Sequence, residues 1–389
     1  MKSIISTFIL LLSLIVTPLI AQNFAINHGP YLQAVGKNEV TIVWTTNNPA
    51  ISWVEVASAG DESFYAKEHP KYFEISNGKR LVSKLHRINI AGLTKNTEYR
   101  YRIFSKEVIS DKNNKVIYGN VVSSDVFNKA PLRFKTFDDE KDKISFTVVN
   151  DIHAQNDTLK ALLKEIRYGK TDMVVFNGDM ISSVENEEEI FNGFMKSSIS
   201  MFAKEVPMFY VRGNHETRGG FSTQFPDYFV NNSGKPYYAF RYGPAYFIVL
   251  DSGEDKPDSD IEYADLACFD KYRTEQQHWL SNILNSTECQ STKYKIVFMH
   301  IPPFGTDWHG EREVKTKFLP ILNKAGIDIM FCGHTHKYSY IDSVSGVSDF
   351  PVLVNGANTS LDVTVNTNSL IIKIKNTKGN ILNTHEISK

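Results

Sequence analysis

The chain has 389 residues, of which 42% are hydrophobic, 12% aromatic and 22% charged, an ordinary globular composition that excludes a disordered or collagen-like protein. Its 43 basic and 44 acidic side chains leave a formal charge of -1, which excludes a polyanionic tail and the broad basic footprint of a nucleic-acid binder. Recognition of any anion must come from a local site, and at about 150 residues per domain the length suggests two domains.

Residues 1–21 read as a cleaved export signal. Lys2 supplies the positive start, Ile4 to Ile20 is almost wholly apolar, and Ala21 precedes the polar Gln22 and Asn23. The competing reading is a membrane anchor, but Pro18 interrupts the run and it falls short of the ~20 apolar residues a span needs. The expectation is an exported protein, periplasmic or secreted, with no membrane span in the mature chain. Cys268 and Cys289 are able to pair, leaving Cys332 as a buried thiol; three unpaired thiols fit equally well. No CxxC spacing exists, which excludes thiolate zinc sites.

Residues 22–137 read as an all-β sandwich. Val40, Ile42 and Trp44 alternate with Thr41, Val43 and Thr45, the period of two of a half-buried strand. Asn47-Asn48-Pro49 predicts a turn, followed by a second strand at Ser52 to Val56. Ile88 and Ile90, then Tyr99, Tyr101 and Ile103, mark further strands. Leu93 followed by Tyr99 resembles the tyrosine corner of fibronectin type III-like sandwiches. Trp44 and Trp53 are read as sandwich core rather than as a carbohydrate platform.

The charged joint Asp138 to Lys143 introduces residues 138–389, where strands alternate with helices as in an α/β layered domain. Strands are expected at Ile144 to Val149, Met173 to Phe176, Met208 to Val211, Tyr246 to Leu250, Lys295 to Met299 and Ile327 to Phe331. Helices are expected from Asp157 to Gly169, near Glu187 to Phe202, Thr274 to Leu284 and Glu313 to Ala325. The tail from Asp362 returns to strands, with a turn at Lys378-Gly379-Asn380.

Five short motifs follow these strands: Asp151-Ile152-His153, Gly178-Asp179, Gly213-Asn214-His215-Glu216, Met299-His300 and Gly333-His334-Thr335-His336. Each stands at the carboxyl end of its strand, where open α/β sheets bind ligands. Six of the 11 histidines (His153, His215, His300, His309, His334 and His336) fall in or near them. Singly such motifs are turns or caps; together and in this order they indicate a metal site. Carboxylates, imidazoles and one amide suit Zn, Mn, Fe or Co rather than copper(I) or iron–sulfur centres. Asp151, His153, Asp179, Asn214, His300, His334 and His336 are too many donors for one tetrahedral cation with an open position, whereas two cations sharing a carboxylate account for all of them.

The five motifs, over about residues 144 to 360, resemble the calcineurin-like metallophosphoesterases. The preceding segment, with Gly29-Pro30-Tyr31-Leu32-Gln33 and Val40-Thr41-Ile42-Val43-Trp44, is similar to the fibronectin-like domain of purple acid phosphatases. The resemblance implies two packed sheets flanked by helices, with the metals at the rim. It implies Asp151, His153 and His336 on one divalent ion (Zn, Mn or Fe), Asn214, His300 and His334 on the second, and Asp179 bridging. His215 is then the nonligating histidine that protonates the leaving group or contacts phosphate, and His309 a second catalytic and substrate-binding histidine. Asn214 and Arg218 are further substrate contacts. Glu216 is expected to orient an imidazole and Arg212 to form a structural ion pair. Purple acid phosphatases carry an iron(III)-binding tyrosine where this chain has Ser182, and a glycine where it has His153, so a colourless enzyme is expected.

The function this implies is attack of a metal-bound hydroxide on phosphate monoesters. Phosphodiester hydrolysis (cyclic nucleotides, nucleic-acid fragments or lipid headgroups) is the alternative, and a surface adhesion protein with a vestigial metal site belongs to a different class. The partner expected is a phosphate ester, without specific nucleic-acid binding.

Overall fold

A computed structural model describes residues 23–60, 63–125, 129–343 and 347–389; the segment expected to be an export signal, residues 1–21, lies outside them. The first seven-stranded sheet is organised by one long strand, Glu39–Ser58. Its first half pairs with Ile26–Gln33 and Ser83–Ala91; its second half pairs with Lys71–Phe73 and Glu98–Lys112. Residues Val40, Ile42 and Trp44 of one half and Val54 and Val56 of the other share one core with Ile88, Ile90, Tyr101, Ile103 and Phe134. The strand thus passes from one layer of a sandwich to the other, a switch commonly made through a bulge.

That passage corrects the turn expected at Asn47-Asn48-Pro49. The strand continues, and its ladder skips from Thr45 to Ala50 because Pro49 has no N–H to offer. The tyrosine corner is present, with the Tyr99 hydroxyl accepting from the Thr94 N–H at 2.8 Å. Trp44 is fully buried and donates to Ser105 Oγ at 2.9 Å. Trp53 departs from the core reading: it is half-buried on the other face, stacked on Phe104 at 5.1 Å.

Two six-stranded sheets follow. The first runs Met208–Val211, Met173–Asn177, Lys143–Val149, Thr359–Asn366, Ser369–Asn376, Ile381–Ser388; the second runs Tyr238–Tyr242, Ala245–Val249, Tyr294–Phe298, Ile329–Cys332, Val352–Val354, Ser339–Ile341. Their central strands are buried on both faces, which is why they read as continuous apolar runs rather than alternating ones. Phe146, Val148 and Val175 meet Phe247, Phe298 and Phe331 between the sheets. The opposite faces, Val174 and Phe176 on one sheet and Ile248 and Val297 on the other, pack under helices.

The first helix, Asn156–Leu163, stops short of Gly169; Glu187 to Ala203 is continuous but contains two π-helical turns. The expected Glu313 to Ala325 helix begins earlier, at His309–Lys317, and resumes as Leu319–Leu322 with Pro320 in its first turn, where a missing N–H does no harm. All three cysteines are free, with Cys289 and Cys332 buried.

The sandwich is seated on the helical segments that flank the first six-stranded sheet and on the edge strand Tyr238–Tyr242 of the second. Tyr31 Oη donates to the Tyr228 carbonyl at 3.0 Å, Tyr101 Oη to that of Lys204 at 2.7 Å, and Phe137 stacks on Tyr242 at 3.9 Å. His28 stacks on Phe191 at 3.8 Å and its Nε2 meets Glu188 at 3.1 Å. No helix among the described residues is long and apolar enough to cross a membrane.

Candidate metal centre

All five motifs arrive at one rim of the paired sheets. Asp151 and His153 follow Lys143–Val149, Asp179 follows Met173–Asn177, and Asn214 and His215 follow Met208–Val211. His300 follows Tyr294–Phe298, and His334 and His336 follow Ile329–Cys332. The turns are sharp. Asp151, His153, Asp179, His334 and His336 hold φ between 46° and 71°, five of the fourteen non-glycine residues with positive φ among the described residues. Such backbone is strained for residues with a Cβ and clusters where structure is committed to a ligand.

The glycines of the motifs make room for this convergence. A Cβ on Gly213 would stand 2.1 Å from Asp179 Oδ1, and one on Gly178 would stand 2.3 Å from His300 Nδ1. Both positions therefore exclude any larger side chain while the ligands stay in place.

Donor atoms of Asp151, His153 and His336 lie within 4.8 Å of one another, as do those of Asp179, His300 and His334. Asp179 also lies within that range of His153 and His215, so one carboxylate faces both clusters. Nε2 of His153 and of His336 are 3.3 Å apart, close to the roughly 3.3 Å set by two Zn–N bonds of 2.0–2.1 Å at a tetrahedral angle. His336 Nε2 is also 3.3 Å from Asp151 Oδ1. Asn214 Oδ1 lies 3.1 Å from His334 Nδ1, which brings the amide to the second cluster.

Two buried atoms in this centre are orphaned. Asp151 Oδ1 and His300 Nε2 have no hydrogen-bond partner. His300 Nδ1–H donates to the Asn177 carbonyl at 2.7 Å, which turns the Nε2 lone pair toward Asp179 Oδ2 at 2.9 Å. Two lone pairs at that distance repel unless a cation or proton lies between them, so the donor set fits a metal. Burial opposes charge on His300, yet the Asp179 and Asp151 carboxylates outweigh it and push its pKa up to about 10, the proton standing where a cation fits. Burial raises Asp151, whereas His300 and His215 overcome burial at Asp179 and hold it well below the usual carboxylate range. Burial pushes His153 down to about 4 and His334 to about 3, so both are neutral, ligand-ready imidazoles.

His215 stands at the edge of this cradle. Its Nδ1–H donates to the Ser182 carbonyl at 2.8 Å, which leaves Nε2 facing Asp179 Oδ2 at 3.9 Å. Ser182 Oγ meets His153 Nδ1 at 3.3 Å. The site is graded, from fully buried His300 to His336, whose side chain is 51% exposed.

Several of the other named side chains have their partners outside the two clusters. Glu216 touches no imidazole; its buried carboxylate accepts from the backbone N–H of Asp179 (3.0 Å), Gly213 (2.9 Å) and Met180 (2.7 Å), tying two ligand loops together. Arg218 makes no hydrogen bond to the cluster, because its guanidinium is engaged by Glu254 at 2.8 and 2.9 Å. His309 Nε2 is held by Asp270 at 2.7 Å. The neighbouring Trp308 approaches the centre instead, its ring edge-to-face with His334 at 5.5 Å. Arg212 forms the expected structural ion pair, with Asp251 at 2.8 Å. Asn150, unremarked in the sequence although it precedes the first ligand, donates to Asp151 Oδ2 and to the Asn355 carbonyl.

Several known proteins are similar to this chain. Purple acid phosphatase 21 of Arabidopsis thaliana is 23% identical over 351 residues, covering 81% of this chain and 68% of that protein. Serine/threonine-protein phosphatase CPPED1 of Mus musculus is 28% identical over 141 residues, 34% of this chain and 43% of that protein. In fold, purple acid phosphatase PPD1 from yellow lupin (Lupinus luteus) seeds superposes with a TM-score of 0.65 at 17% identity, covering 92% of this chain and 74% of that one. The model of the calcineurin-like phosphoesterase family matches residues 144–338, half of the chain, and a binuclear metal centre is implied by that family. The chain belongs to the calcineurin-like phosphoesterases, with the purple acid phosphatases among its relatives, and is a metal-dependent phosphoric ester hydrolase.

Proposed function

We propose that the protein is an exported, colourless phosphomonoesterase that uses two divalent ions, Zn, Mn or Fe. The observation that carries it is the Asp179 carboxylate facing both donor clusters, each of which converges on a point without a partner for Asp151 Oδ1 or His300 Nε2. Asp151, His153 and His336 would hold one ion, Asn214, His300 and His334 the other, with Asp179 shared. When bound, the pair supplies Lewis acidity toward phosphate oxygens and a water acidified to near neutral pH.

The chain's own groups do the rest. His300 is fixed as a ligand by its Nδ1–H bond to Asn177, and Glu216 holds the loops of Asp179 and Asn214 in register. His215 has its Nδ1 proton committed to Ser182, so Nε2 is the atom that delivers a proton to the departing alkoxide when the ring is charged. Ser182 cannot replace a tyrosinate ligand, which supports the absence of colour; a strong visible band in the protein as isolated would contradict it.

The deciding experiment strips the metals, restores Zn, Mn or Fe singly, and compares nitrophenyl phosphate with bis-nitrophenyl phosphate. Turnover of the monoester that returns with metal is expected. Preference for the diester sinks the monoesterase reading, and no turnover of either sinks hydrolysis.

A further inference from the structure

We propose that Trp308 is a specificity-determining platform which selects phosphate esters whose alcohol portion carries a planar aromatic ring; this rests on the phosphomonoesterase reading above. Trp308 is 51% exposed, although it touches His334 of the second donor cluster. A large apolar ring left half in water beside a reaction centre has surface available to a ligand.

The exposure belongs to a braced segment. The Thr306 N–H and hydroxyl both donate to Glu311 Oε2 at 2.5 Å, and the Trp308 N–H reaches Thr306 Oγ1 at 3.4 Å. On the far side, His309 is held by Asp270 at 2.7 Å and the Gly310 N–H by the Asp255 carbonyl at 2.8 Å. A Cβ at Gly310 would come within 2.5 Å of the Glu254 carbonyl oxygen, so the helix start is pressed against that segment. These contacts fix the backbone that carries Trp308, so the ring is presented from a braced turn. Its exposed ring lies beside His334, within reach of the alcohol portion of an ester whose phosphate sits between the two donor clusters.

The test uses metal-loaded protein with adenosine 5′-monophosphate and ribose 5-phosphate, which both release a primary alkoxide at the ribose C5 and differ by the adenine ring. Stacking of a base on an aromatic side chain is worth about 5- to 150-fold in affinity. Wild type should favour adenosine monophosphate. Trp308→Ala should lower its kcat/KM about tenfold, chiefly through KM, while changing ribose 5-phosphate less than about twofold, and Trp308→Phe should retain most of the preference. Phenyl phosphate should follow the nucleotide if a ring alone suffices; a response confined to the nucleotide narrows the ring to a base. Equal loss on both sugar phosphates would assign Trp308 a structural role on His334 and overturn the proposal, as would a wild type without preference. If wild type hydrolyses neither ester, the phosphomonoesterase reading falls by itself. The platform is then judged by quenching of indole emission on adding adenosine monophosphate: quenching lost in Trp308→Phe sustains it, and its absence in wild type overturns it.

Discussion

Replacing Asp179 by its amide removes a charge that faces both donor clusters, so Asp179→Asn should lose bound metal and turnover together, read by elemental analysis and kcat. His215→Ala should separate the two. It should keep both ions and lose about 10²–10⁴-fold in kcat, the usual weight of a general acid; loss of metal would make His215 a ligand. Glu216→Gln keeps the shape but weakens acceptance from three loop N–H groups, and support of this kind is commonly worth about 10- to 100-fold in metal affinity. Equilibrium dialysis against a competing chelator would detect it, and an unchanged affinity would reduce Glu216 to packing. The donors were legible because carboxylate, imidazole and amide side chains recur at strand ends. The partners of Glu216, Arg218 and His309 were not, since a polar side chain beside such a motif takes whichever neighbour the third dimension brings, here backbone amides, Glu254 and Asp270.

Among the elements, the loop carrying Asn214 and His215 depends on a buried carboxylate from another strand's end. Glu254, 1% exposed, accepts from Thr217 Oγ1 (2.8 Å), Arg218 (2.8 and 2.9 Å) and Tyr263 Oη (3.0 Å). Glu254→Ala should leave Arg218 without its partner and loosen this loop, lowering both kcat and thermal stability; Glu254→Gln should recover most of the stability. Breaking a buried pair on one side can destabilise by about 3–5 kcal/mol, and partial exposure of Arg218 puts this one below that range. In the sandwich, His86 is buried beneath Trp44 with Nε2 3.0 Å from Thr46 Oγ1, and burial pushes its pKa down to about 3. The unfolded chain takes up a proton near pH 6.5 that the folded chain refuses. Between those values stability should fall as pH falls, by at most about 1.4 kcal/mol per unit. Unfolding midpoints from pH 7 to 4 should drop less steeply in His86→Gln than in wild type.

For the molecule as a whole, the alternation of apolar residues foretold a sandwich followed by layered sheets, because burial on one or both faces of a strand writes itself into neighbouring positions. The passage of one strand through Pro49 from layer to layer and the seating of the sandwich did not show, since their pairing partners are distant in the chain. That seating has a measurable outcome. Residues 138–389 expressed alone would leave Phe191, Phe209, Tyr228 and Tyr242 without the cover of Tyr31, Val43 and Phe137, and should aggregate or melt well below the full chain. A soluble fragment of unchanged midpoint would show that the β-sandwich is an independent appendage. Finally, the left-handed bends at Asp151, His153, Asp179, His334 and His336 are braced by neighbouring strands, close-packed glycines and Glu216, all of them contacts between protein groups. The receptacle is moulded in advance, so emptying it should spare the tertiary structure, and one pair of ions should be exchangeable for another by dialysis. Which ions it carries in nature would then follow from supply during maturation more than from discrimination by the polypeptide.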